Sequence, residues 1–412
     1  MRYLQPAILL LLALATLLSA SWEAGAIPET APTSCQINFT TPLFVPRSGD
    51  LNDIVIDDAC KYVYVTNGTL DRVEVFSIGD NALKAPIPVG PQPWGLDVTP
   101  DGSSIYVANF GANSISVVDP AMRSERRRIY VPPLSIFNDT PYSVAIADNG
   151  LALFSTATAG VSGYEGRVEQ LDLATDAVTL RTDFQVFPGS PHLFGRTTSS
   201  TFIKASGDRS KIGIVVGNIS DGPAFLYDAA TDSFPADTRL NDFLSGVGLN
   251  GDGSTLLLGG RMRFLDSSLA LLGSSTDCAK AVAIDPLKPV GYRAIGSQVE
   301  QMSLPTFEFI QSLELGDDSG FNPPGCFGGP SRMAISRDGR ILAVITENGF
   351  SLVRTIPAVG GIAEFADDHD PDVAAVEPVP TADRSVPVMA IVAALVLVLG
   401  FGGLCVARFK RD

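Results

Sequence analysis

Two passages of this chain, 42 residues apart, share one layout, and that internal repeat restricts the fold more than any other feature. "PDGSSIYVANFGANSISVVD" (residues 100–119) reads as turn, strand, turn, strand. The earlier passage sets Tyr64, Asn67, Asp71 and Val75 opposite Tyr106, Asn109, Asn113 and Val117. A constant offset across both strands marks a duplicated unit. Asp/Asn-Gly turns between apolar strands recur at Asp101-Gly102, Asn149-Gly150, Asp252-Gly253 and Asp338-Gly339, with separations of 48, 103 and 86 residues. The two longer gaps are about double the first, so each holds a degenerate copy, at "FIKASGDRSKIGIVVGN" (202–218) and "AVAIDPLKPVGYRAI" (281–295).

With the copy whose turn is Asp58–Lys61, seven units fill Leu51 to Pro357 at about 44 residues each, a blade period. A lone unit of three or four short apolar strands cannot bury both faces, whereas units stacked in a ring leave only short edges. The expected fold class is all-β, a seven-bladed β-propeller, plus a C-terminal transmembrane helix. The last unit supplies strands only near 331–336, 341–345 and 351–356, so "QINFTTPLFV" (37–46) is expected to add its fourth strand and close the ring.

The ends carry other signals. Residues 1–26 combine Arg2, an apolar run from Ala7 to Ala20 and Ala24-Gly-Ala26, the pattern of a secretory signal peptide. The run 386–407 holds 22 residues without a charge, enough to span a hydrocarbon core of about 30 Å. Arg408, Lys410 and Arg411 follow it, which puts the tail 408–412 on the cytoplasmic side. The expected organisation is thus signal peptide 1–26, ectodomain 27–357, acidic Pro/Ala/Gly-rich linker 358–385, transmembrane helix 386–407 and basic tail. The ectodomain is then periplasmic or extracellular. Of the chain's net −16, the leader contributes nothing and the last 27 residues +2, leaving −18 on residues 27–385. Such a body repels phosphate backbones, so no nucleic acid partner is expected.

Four cysteines, Cys35, Cys60, Cys278 and Cys326, lie in the exported part, where disulfides persist. Three pairings are open to them; bracketing of loop-rich stretches favours Cys35 with Cys60 and Cys278 with Cys326. Cys405 belongs to the apolar run.

At "YVTNGTLDRVEVFSI" (64–78) and "PQPWGLDVTPDGSSIYVANFGANSISVVD" (91–119) the sequence resembles the YVTN family of β-propeller repeat proteins, near the YncE-like and lactonase-like propellers. The likeness thins to "GLNGDGSTLLLGG" (248–260) and "RMAISRDGRILAVITENGFSLV" (332–353). It implies a seven-bladed ring and no reaction.

The inventory for chemistry is narrow. His192 and His369 are the only histidines, which does not furnish the imidazoles of a copper or zinc centre, so no metal and no cofactor is expected. His192, in "GSPHLFG", has no Gly-x-Ser-x-Gly elbow to serve. Asp367, Asp368, His369, Asp370 and Asp372 read as a solvated linker rather than a cation loop. Asp97 and Glu74 fall within strand alternation and either face the channel as an acid–base pair or lie on a solvated sheet face. Trp94 and Tyr142 hold similar entry positions in successive units and are expected to pack between them. Asn67, Asn109 and Asn113 end strands or form turns and are the candidate rim-loop binding residues. Asn38, Asn67, Asn138 and Asn218 open Asn-x-Ser/Thr sequons. "MRSERRRIY" (122–130), with Arg123, Arg126, Arg127 and Arg128, reads as a basic loop, solvated or offered to an acidic partner or lipid head group.

These readings point to a monomeric, membrane-anchored β-propeller that binds an envelope protein or polymer without catalysis. The alternative is a lactonase-like hydrolase of a small cyclic ester at the channel mouth.

Overall fold

The computed structural model describes residues 34–132, 140–158, 166–185, 197–217, 219–320 and 333–355. They form seven four-stranded antiparallel sheets, the blades of a propeller. The first strands of blades 1 to 7 are Leu51–Ile56, Pro93–Val98, Thr140–Ile146, Thr201–Ala205, Val247–Leu249, Val282–Ile284 and Met333–Ile335. Each touches the first strand of the next blade, and the seventh touches the first. Both degenerate copies are complete blades.

The closing strand is Leu43–Pro46, which pairs antiparallel with Gly349–Arg354 as the fourth strand of blade 7. Cys35 and Cys60 form a disulfide with Cα atoms 5.2 Å apart, tying the segment before that strand to the first turn of blade 1. Cys278 is also disulfide-bonded, and Cys326, its expected partner, lies outside the described residues.

The burial pattern explains why the strands read as apolar clusters more than as clean alternation. The third strand of blade 2, Ser114–Asp119, is buried throughout, whereas its fourth strand, Ser124–Tyr130, is mostly exposed. Inner strands have a neighbouring sheet on each face, and only the outermost strand meets water. Seven apolar clusters follow, one at each junction between blades. The cluster joining blades 7 and 1 includes Ile345, Leu352, Val63 and an edge-on contact of Phe76 with Phe350. Apolar burial at about 25 cal/mol per Å2 therefore holds the ring shut as well as each blade together.

Because every blade is antiparallel, the turns after first and third strands lie on one face, here the turn face. The turns after second strands and the connections to the next blade lie on the other, the connection face. Gly102, Gly150, Gly253 and Gly339 of the Asp/Asn-Gly turns all have positive φ.

The basic segment is not a loop. Ser124–Tyr130 is a strand, and Arg126 pairs with Asp119, Arg127 with Asp176 and Arg128 with Glu125, so the cluster is largely neutralised. Glu74 neither lines the channel nor faces water: it is buried in the third strand of blade 1 beside Arg72 and Arg47. Among the described residues no helix is long and apolar enough to cross a membrane. Residues 1–26, 358–385, 386–407 and 408–412, together with both histidines, lie outside the described residues.

Candidate functional site

One position in each first strand faces the propeller axis. It holds Val55, Asp97, Ala145, Lys204, Gly248, Ala283 and Ala334 in blades 1 to 7, and all seven line the axial channel. Five of these side chains are small and uncharged, so a cavity of about 130 Å3 remains, walled above and below by residues such as Ile54, Leu96, Val247 and Met333. The two charged members of the ring, Asp97 and Lys204, set its chemistry.

Inner strands have no sheet partner on the axial side, and some of their amides need acceptors. Side chains of the preceding blade supply them. Asp53 accepts Leu96 N at 3.3 Å, Asp97 accepts Ile146 N at 2.7 Å, and Ser143 Oγ accepts Ile203 N at 3.2 Å. Each carboxylate also takes the amide that follows it, Ile54 N at 2.9 Å and Val98 N at 2.8 Å. Cations from blade 4 complete both. Lys204 Nζ reaches Asp53 across the ring at 2.8 Å, and Arg209 binds Asp97 at 2.9 Å with Asp58 at 3.4 Å. Burial pushes the Asp53 carboxyl up from its ordinary value, with Lys204 opposing. Burial works against the Arg209 charge, but Asp97 and Asp58 outweigh it and hold the guanidinium more firmly protonated than usual.

Arg209 occupies the turn position that Gly102, Gly150, Gly253 and Gly339 fill elsewhere, with φ 64°. Cys60 fills it in blade 1, with φ 53°. A left-handed backbone costs a residue with a Cβ about 1–2 kcal/mol. At both of these positions the side chain does something glycine cannot: one makes a disulfide, the other bridges three blades.

Each end of the channel opens on broader surface. On the connection face Trp94 stacks on Tyr142 with ring centroids 4.9 Å apart, and Phe110 meets both edge-on. This confirms the expected packing between successive units. A groove of about 660 Å3 runs from there over Asp50, Thr69, Asp71 and Gln92. On the turn face a groove of about 570 Å3 extends over Asn250, Phe264, Leu287 and Lys288 to Arg337 at the channel mouth.

The candidate asparagines end strands as expected, yet Asn67 and Asn109 are fully buried. Asn67 donates to Ser48 O and Glu74 Oε1; Asn109 donates to Ser114 Oγ and Ser116 Oγ. Gly49 and Gly90 lack the Cβ that would stand 2.4 Å from these amides. Asn113 is half-buried in the next turn. Of the sequon asparagines, Asn38 is exposed, Asn67 buried, and Asn138 and Asn218 lie outside the described residues.

Sequence reasoning missed Lys204 and Arg209. The available signal was their place in the repeat, a lysine aligned with Asp97 and an arginine aligned with the turn glycine of "PDG".

No family model matches this chain, and no curated protein matches it in sequence. Among solved structures it is similar to a chain of the hydrazine synthase of Kuenenia stuttgartiensis, at 15% identity and TM-score 0.57, covering 77% of this chain and 99% of that one. It is also similar to a chain in the crystal structure of the mitotic checkpoint complex, at 11% identity and TM-score 0.54, covering 80% and 98%. At such identities the likeness shows the propeller fold alone.

Proposed function

We propose that this chain is a YVTN-type β-propeller acting as a non-catalytic binding or scaffold module at the cell envelope. In this reading it is exported by residues 1–26, held by a membrane anchor at 386–407 on the linker 358–385, and monomeric. The observation that carries the reading is the commitment of the channel carboxylates. Asp53 and Asp97 are each bound to backbone amides and to a cation, and Asp58 shares Arg209, so their oxygens are engaged in holding blades together. Broad accessible space lies instead in the grooves of the two faces, where a rigid ring presents varied loops to a partner. The Cys35–Cys60 disulfide agrees with an oxidising compartment.

Affinity capture with the full chain from envelope extract, run beside a lactone panel, tests this. The expected result is a saturable macromolecular partner and no lactone turnover that responds to Asp97→Asn. Lactone hydrolysis abolished by that substitution, with no partner recovered, reverses the reading toward the hydrolase.

A further inference from the structure

We propose that the turn-face mouth of the axial channel binds a small aliphatic carboxylate, its carboxylate on Arg337 and its hydrocarbon body in the channel cavity. This site adjoins the turn-face groove through Arg337 but lies in the channel, and it does not rest on the scaffold reading.

Arg337 carries the argument. It lines both the channel cavity and the turn-face groove, so its guanidinium stands where the two meet. The other channel cations are matched: Lys204 by Asp53, and Arg209 by Asp97 and Asp58. Among the described residues Arg337 has only Asp58, at 3.9 Å, beyond hydrogen-bond reach, and that carboxylate is already shared. Its side chain is 31% exposed, and its five N–H donors have no protein acceptor among the described residues. A planar fork of this kind suits a carboxylate, which accepts two parallel bonds from it.

The space beside it specifies the rest of the ligand. The cavity is about 130 Å3; beside Ser206 and the paired groups Asp58, Asp97, Lys204 and Arg209, its lining is aliphatic, including Val55, Ala145, Ala283, Ala334 and Ile335. With those charges engaged in the pairs that join blades, the aliphatic part of the lining suits a hydrocarbon body and Arg337 its polar end. Asp208, Asp252 and Asp285 outnumber Lys288 in the outer groove and disfavour an anion there. The favourable place for a carboxylate is therefore at Arg337, with its chain directed inward. The small residues at the axial position, Ala283 and Ala334 among them, leave the volume that a short hydrocarbon chain fills.

Calorimetric titration of the full chain in detergent with pentanoate, pentanamide and pentylamine tests the assignment. The expected result is one pentanoate site, with the amide and the amine at least about tenfold weaker. Arg337→Gln should weaken pentanoate by about tenfold or more, with an unchanged thermal midpoint because the side chain supports no hydrogen bond. Ala334→Leu should abolish binding by filling the cavity while leaving Arg337 in place. Equal affinity for all three probes, undiminished pentanoate binding by either variant, or no pentanoate binding by the wild type overturns the proposal. Partner capture by Ala334→Leu, whose residue lines the channel and neither groove, is expected to be normal in every case, so failure of this site is separable from failure of the scaffold reading.

Discussion

Arg209 stands at a turn position that four other blades give to glycine, and the exchange has a measurable cost and return. Arg209→Ala keeps the backbone strain and leaves Asp97 and Asp58 without their guanidinium. A loss of about 3–5 kcal/mol in urea unfolding is expected, the usual result of stripping one partner from a buried ion pair. Arg209→Gly relieves the left-handed strain and should recover about 1 kcal/mol of that loss. Asp53 makes a second prediction. Its folded carboxyl value lies above the ordinary 3.8, so between the two values the folded state holds the proton more tightly. Stability contributed by this group therefore falls as pH rises through that window. Relative to Asp53→Asn, the wild type should gain stability as pH is lowered toward 3.8, and the difference should level off below it. Parallel urea titrations of both proteins check the slope; the opposite sign would mean that Lys204 dominates burial. Neither cation was legible as a site residue, because the pairs join positions 112 and 151 residues apart and no local pattern announces them.

At the scale of strands and turns much more was readable. Asp-Gly turns, apolar runs and repeat spacing are local signals, and they located seven blades and the turn glycines. What local reading missed was which face a side chain occupies. Asn67 and Asn109 were expected at a rim and are buried, because a strand packed on both sides has no polar face to reveal its orientation. The arginines at 126–128 were expected in a loop, because a strand exposed on the outside of a blade has loop-like composition. The hairpins between third and fourth strands carry a further repeated device. Asp119, Asp172, Asp228 and Asp266 open these turns in blades 2 to 5 and each accepts an amide two residues on. All four carboxyls lie below the ordinary range. Turn amides lead for Asp119 and Asp172, Lys211 for Asp228, and the Ser268 hydroxyl for Asp266. With folded values depressed, their contribution is complete above 3.8 and is lost as pH falls below it. Replacing all four by Asn should flatten the acid limb of a stability–pH curve, lowering the melting point near neutrality and changing it little in acid, as thermal melts across the range would show.

For the whole molecule, closure is the governing fact. Blade 7 takes its fourth strand from residues 43–46, and the segment before it is bonded to blade 1 through Cys35 and Cys60. Loss of this bond alone, by Cys35→Ala, is expected to cost about 2–4 kcal/mol. Hydrogen exchange should then accelerate first in Leu43–Pro46 and in its partner strand Gly349–Arg354, while blades 3 to 5 keep their protection. Uniform loss of protection around the ring would show that the clasp is not a separable unit. The closing strand also fixes how the molecule bears tension. The last described strand, Gly349–Arg354, lies inside its sheet with Leu43–Pro46 on one flank and Ile341–Thr346 on the other. A pull applied from Thr355 is therefore shared by two flanking ladders of hydrogen bonds instead of peeling one free edge. The clasp strand, which enters from the other end of the chain, takes its share only through its ladder with Gly349–Arg354.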